Sequence, residues 1–185
     1  MAYPKITVNT GLAREIIASD TIPIPAPDLP VLSGTTTAAT ANKLVDVGAD
    51  FSNVSVGDII YNTTDNTSAT VTAIDTSTIL SVSADIFTSP EDYEIFLGGP
   101  NGSLRINSAE GCLLYVGSSA NILQDITPGA GTDDPRYVNI RVKTISGNSI
   151  TFENFPVGNY LPIQIVQLYS TSTTAAARNT CVAIW

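Results

Sequence analysis

Short apolar runs rich in Val, Ile and Leu recur along the chain, broken by Asn, Asp, Gly, Ser and Pro. Such runs, too short for helices and bounded by turn residues, predict β-strands. The clearest are Ala69 to Ile74, Ile79 to Ser83, Tyr93 to Leu97, Cys112 to Val116, Tyr137 to Ile145, Ile163 to Tyr169 and Cys181 to Trp185. Weaker strands are expected at 6–8, 14–17 and 103–106. Tyr137 to Ile145, the turn Ser146-Gly147-Asn148 and Ser149 to Phe152 read as a hairpin, and Phe155-Pro156-Val157-Gly158 as a tight turn. The only helix candidates, both weak, are Ala38 to Val47 and Thr174 to Asn179. The expected fold class is all-β: a small antiparallel β-barrel or meander module, a C-terminal antiparallel β-sandwich-like unit, and an extended N-terminal arm.

Punctuation sets the boundaries. Residues 1–31 form the arm. Within it, Pro23, Pro25, Pro27 and Pro30 forbid helix and remove strand donors, leaving a stiff extended segment. A spacer is the plainer reading, and an arm laid across a neighbouring subunit is the other. Residues 32–98 form a compact module, where Val56-Gly57-Asp58-Ile59 suits a bend with Gly at positive φ and Asp capping the turn. Gly98-Gly99-Pro100-Asn101-Gly102 marks the break before the C-terminal unit, 99–185.

Composition sharpens this picture. Hydrophobic residues make up 43% of the 185, enough for a core, while only 14% are charged. The net charge of −9 is uneven. Residues 1–98 hold three basic residues (Lys5, Arg14, Lys43) against twelve acidic ones, whereas 99–185 hold five of each. The plain meaning is solubility; the sharper one is an acidic outward module and a neutral module that packs on partners. With no basic stripe, nucleic-acid binding is not expected. Cys112 and Cys181 each border an apolar run and read as small buried hydrophobes rather than a disulfide. Met1-Ala-Tyr-Pro-Lys5 has no apolar core behind its charge, so no signal peptide is expected, and no apolar run is long enough to span a membrane.

The chemistry is sparse. The chain has no histidine, which removes Ser-His-Asp and Cys-His catalysis and the commonest metal ligand. Neither a P-loop nor a Gly-x-Gly-x-x-Gly motif occurs. A carboxylate pair of the kind used in glycoside hydrolysis is available by number alone, and nothing singles out two acids. Asp133-Asp134, and Asp65 with Asn62 and Asn66, offer oxygen ligands of the kind calcium takes; without EF-hand spacing they read as solvated turns. No catalytic residue, metal site or cofactor is assigned, and the chain is expected to be non-enzymatic.

The most informative segment is the end. Leu161-Pro162-Ile163-Gln164-Ile165-Val166, a Thr-rich connection, and Val182-Ala183-Ile184-Trp185 resemble the terminus of head spike base proteins of gene transfer agents and related phage virion proteins. The resemblance covers roughly 113–185. The stretch from Val56-Gly57-Asp58-Ile59-Ile60-Tyr61-Asn62 to Phe87 resembles a small β-module recurrent in phage structural proteins, here inserted between the arm and the C-terminal unit. This implies a virion component made in a bacterial cytoplasm and carried on the head surface. There it would be a decoration, cement or spike-base protein that docks on the major capsid protein or other virion proteins. A tail, baseplate or fibre-base protein is the alternative, and a small polysaccharide-active enzyme the third reading. Host-surface glycan binding has no residue to support it. Open strand edges and the arm predict a homo-oligomer or lattice-bound copy. Trp185, Ile184, Tyr169, Leu161 and Pro162 are the interface candidates, with Trp185 expected to bury itself either in its own sheet or against a neighbour.

Overall fold

A computed structural model describes residues 13–25, 30–88, 90–98, 111–119 and 134–185. The expected strands at 6–8 and 103–106, residues 99–102 of the expected boundary and Asp133 lie outside these residues. Within them the protein is all-β: helix is confined to two 3₁₀ turns, Phe51–Asn53 and Ala175–Ala177, and the strands form two antiparallel sheets.

The first sheet has seven strands: β2 (Leu32–Thr35), β3 (Ala38–Thr40), β4 (Lys43–Val45), β5 (Ile59–Asn62), β6 (Thr67–Thr76), β7 (Ile79–Val82) and β8 (Asp92–Phe96). Their order is β2-β8-β5-β6-β7-β4-β3. Its outermost strands, β2 and β3, follow each other in the chain, so the sheet curls into a half-barrel. The long strand β6 makes the bend, pairing with β5 through Thr67–Thr70 and then with β7 across two register shifts. Inside lie Leu44, Phe51, Ile60, Ala69, Val71, Leu80, Phe87, Tyr93 and Ile95. The expected bend before β5 is present: Gly57 has φ +95°, and the Asp58 carboxylate accepts from Ser55 N at 2.8 Å and Gly98 N at 3.1 Å.

The helix weakly indicated at 38–47 is instead the hairpin β3–β4, with Ala38 opposite Val45 and Asn42 at φ +55° in the turn. Local propensity loses here because β4 gains a ladder with β7 and Leu44 pairs with Leu80 in the core.

The second sheet has six strands: β1 (Ala13–Glu15), β9 (Cys112–Tyr115), β10 (Tyr137–Thr144), β11 (Ser149–Pro156), β12 (Tyr160–Leu168) and β13 (Val182–Ile184), in the order β1-β13-β9-β12-β10-β11. β10 and β11 form the predicted hairpin, closed by Gly147 at φ +88°. Strict alternation in β10 turns Val138, Ile140, Val142 and Thr144 inward.

Residues 13–25, read from sequence as part of the extended N-terminal arm with a weak strand at 14–17, belong to this second unit. β1 pairs with β13, and beyond it the chain runs beside β12, with Ser19 N donating to Leu168 O and Ile24 N to Val166 O. Ile16 and Ile24 are buried in the same core as Leu114, Ile140, Leu161 and Ala183. The prolines do not prevent this, because only the amides of the intervening residues are needed for bonding. Ile17 and Ile22 meet Ile59, Tyr61 and Phe96 in a third, small cluster, which joins the two units. That contact explains why β5 is buried on both faces: Ile60 faces its own barrel, where Asn62 bonds to Ile86 O and Glu91, while Ile59 and Tyr61 face the segment.

Candidate functional site

The C-terminal strand β13 lies inside the sheet, hydrogen-bonded to β1 on one side and β9 on the other. Register sorts its side chains. Arg14, Ala183, Leu114 and Leu161 form one row across β1, β13, β9 and β12, and Ala183, Leu114 and Leu161 are wholly buried. Leu161 is therefore a core residue and, contrary to the expectation that it lines an interface, has no surface with which to meet a partner. Trp185 follows the same alternation and packs, half-buried, against this core. This is the contact within its own sheet.

The opposite face carries the rows Glu15–Val182–Tyr115–Tyr160 and Ala13–Ile184–Leu113. Pro162, two residues from Tyr160 and exposed, lies on this face by alternation. The structure thus brings Ile184 and Pro162 to a common face with Leu113, Tyr115, Tyr160 and Val182. Tyr115 and Tyr160 meet edge to face at 5.3 Å, and Tyr160 is 57% exposed. Tyr169 stands apart, under the Arg141 guanidinium at 4.6 Å, with its hydroxyl 3.0 Å from Ser149 Oγ. Leu113, Tyr115 and Tyr160 were not among the sequence candidates. For Leu113 and Tyr115 the signal was the unbroken apolar run Cys112-Leu113-Leu114-Tyr115-Val116, which places apolar side chains on both faces of β9.

The outer strand β11 offers an edge, but an interrupted one. Its register with β10 slips between Val138 and Ile140, and Asn154 has φ +51°, so a bulge kinks the strand. Bulges of this kind discourage edge-to-edge pairing.

Charge is segregated as composition implied. Between 30 and 98 the only basic residue is Lys43, held by Asp75 at 2.7 Å. In the second unit Arg136 forks onto Asp134, which keeps the Asp134 carboxyl below its ordinary range. Asp134 thus caps and pairs locally through its bond from Arg136 N. At the β5–β6 turn, Asn62 Oδ1 accepts from Thr64 N and Asp65 N, forming an Asx turn. Glu91 accepts from Asn62 Nδ2, Thr88 N and Thr88 Oγ1. Burial raises the Glu91 carboxyl, and these hydrogen bonds more than offset it, leaving it below its ordinary range. Asp65 faces Glu91, whose hydrogen bond and charge hold the Asp65 carboxyl above its ordinary range. Carboxyls in direct contact do not straddle a glycosidic bond, which needs a separation of about 5 Å or more. Among the described residues, no group of three or more Asp, Glu or Cys side chains is placed to hold a metal ion, and no helix is long and apolar enough to cross a membrane.

No protein-family model, curated protein or solved structure was found to match the chain.

Proposed function

We propose that this protein is a non-enzymatic structural component of a virion. It sits on the head surface as a decoration, cement or spike-base protein, docked on the capsid through its C-terminal unit and presenting the acidic half-barrel outward. The supporting observation is the apolar outer face built by Leu113, Tyr115, Tyr160, Pro162, Val182 and Ile184 on the charge-balanced unit, while the excess acid lies in the other unit. Apolar faces rimmed by polar residues are typical docking surfaces. The bulged edge of β11 favours docking by this face over strand addition. The protein acts in this reading as one of many identical copies, in a homo-oligomer or a capsid-bound lattice.

The test is imaging of particles that carry a tagged copy, with quantification of copies per particle. Many copies over the head are expected. A few copies at the tail would move the protein to the tail or baseplate, and absence from particles would end the virion reading. Tyr160→Ser should lower occupancy without changing the folded spectrum, because the Tyr160 side chain is already more than half exposed.

A further inference from the structure

The contact between the two units is built differently from the two cores it joins. Among the described residues its apolar cluster is the smallest of the three, comprising Ile22, Ile59, Tyr61 and Phe96 with Ile17 at its margin. Segment 13–25 bonds through its backbone to the C-terminal sheet, at Cys181, Arg178, Leu168 and Val166, and meets the half-barrel through side chains in this cluster. Tyr61 and Phe96 pack edge to face at 5.4 Å, and the Arg14 guanidinium sits 3.9 Å above the Phe96 ring.

Two polar groups lose water at this contact, Tyr61 almost wholly and Arg14 in part. Tyr61 is 3% exposed, and among the described residues its hydroxyl completes no well-formed hydrogen bond; the Ile17 backbone lies beside it. Burial pushes the Tyr61 hydroxyl above the usual phenol range, against the pull of the Ile17 backbone and Arg14. Burial also lowers Arg14 from its ordinary value, outweighing the attraction of Glu94 and Tyr61. Beside them an open cleft of about 380 Å³, lined by Arg14, Glu15, Pro30, Tyr61, Asn66 and Glu94, runs into the contact. A buried hydroxyl without a partner disfavours the closed arrangement, and small interdomain contacts are where chains move first.

We propose that this contact is a built-in release: the acidic half-barrel undocks from the C-terminal sheet as an intact unit, in an opening easier than the unfolding of either core. Opening frees Ile59, Tyr61 and Phe96 on one wall and Ile17 and Ile22 on the other, and lets the Tyr61 hydroxyl and the Arg14 guanidinium rehydrate.

Native-state thiol labelling of the full chain tests it. Ile59→Cys and, separately, Ile22→Cys put a thiol on each wall; Cys112 and Cys181 report the C-terminal core, and Val71→Cys reports the half-barrel core. Both wall thiols should label at least about tenfold faster than the three core thiols, with a weaker dependence on urea, since less surface is exposed by undocking than by unfolding. Adding Tyr61→Phe to either wall variant removes the unpaired hydroxyl and should slow wall labelling about tenfold, equivalent to about 1.4 kcal/mol. Labelling of either wall thiol at the core rate with the core urea dependence would show that the chain opens only by unfolding. Faster wall labelling in the Tyr61→Phe background would show that the hydroxyl is a tie rather than a liability. Either result overturns the proposal.

Discussion

Removing Val182–Trp185 should unfold the C-terminal unit rather than trim a docking tail. β13 lies between β1 and β9, so its loss breaks ladders on two sides and leaves β1 with no strand to pair. Ladder bonds contribute about 1 kcal/mol net each. Ala183 is wholly buried, and Val182, Ile184 and Trp185 are half-buried. Covering those side chains is worth roughly 5 kcal/mol at about 25 cal/mol per Å². Together these terms reach the whole stability of a typical domain, about 5 to 15 kcal/mol. The truncated chain should lose the C-terminal transition in urea titrations followed by far-ultraviolet circular dichroism, while the half-barrel, whose core shares no residue with β13, keeps its own. Cys112 and Cys181 should become reactive at once. A truncated chain that melts like the full one, with both thiols still protected, would refute the interior placement of β13. Trp185→Ala is the milder companion: it removes a half-buried ring, and should lower stability by about 1 to 2 kcal/mol with the fold intact.

Three further outcomes follow from particular contacts. A Cβ on Gly34 would lie 2.6 Å from the Tyr93 hydroxyl and 2.8 Å from Asp46 Oδ2, so Gly34→Ala should break the buried 2.8 Å Tyr93–Asp46 bond and cost about 2 to 3 kcal/mol in chemical denaturation; a cost under about 0.5 kcal/mol would contradict this packing. Burial pushes the Cys112 thiol up to about 12 and Cys181 to about 11, and the two thiols point at Ile165 O and Ala177 O, so neither should react with an aromatic disulfide at neutral pH until the chain is denatured. Hydrogen bonds from the Thr171 side chain and backbone, then from Ser170, hold Asp20 below its ordinary 3.8. Its depressed folded value makes the stability it supplies fully present above about pH 3.8 and lost as the pH falls through that lower value, so melting temperature should drop more steeply there in the wild type than in Asp20→Asn. Equal slopes would show that this tie between residue 20 and the 170–171 loop carries no stability.

Much of the fold was written locally. The alternation of Val138, Ile140 and Val142, followed by Ser146-Gly147-Asn148, specifies a half-buried strand and its turn before any partner is known, because side-chain direction and positive φ are properties of the chain itself. The same holds for the bend at Gly57 and for the scarcity of helix. The burial of Ile59, Ile60 and Tyr61 on both faces of β5 was not read from the sequence. It came from residues distant in sequence, when Ile17 and Ile22 closed over β5. Ala38 to Val47 went the other way: a weak helical tendency gave way to a hairpin because β7 was there to pair with.

The candidate surface divides along the same line. Sequence alone marked the chain's end, through its lone Trp and two apolar runs. It did not decide which side chains of those runs face outward, since one strand's facing depends on the register of its neighbours. Only the pairing of β13 with β1 and β9 turned Ala183, Leu161 and Trp185 toward the core and set Ile184, Leu113, Tyr115 and Tyr160 on the outer face. Composition along the chain determined where the acid lies; the folding of residues 13–25 onto the second sheet decided what the acidic unit rests against, because long-range burial of Ile16, Ile17, Ile22 and Ile24 outweighs the local preference of a proline-rich segment to stay extended and solvated.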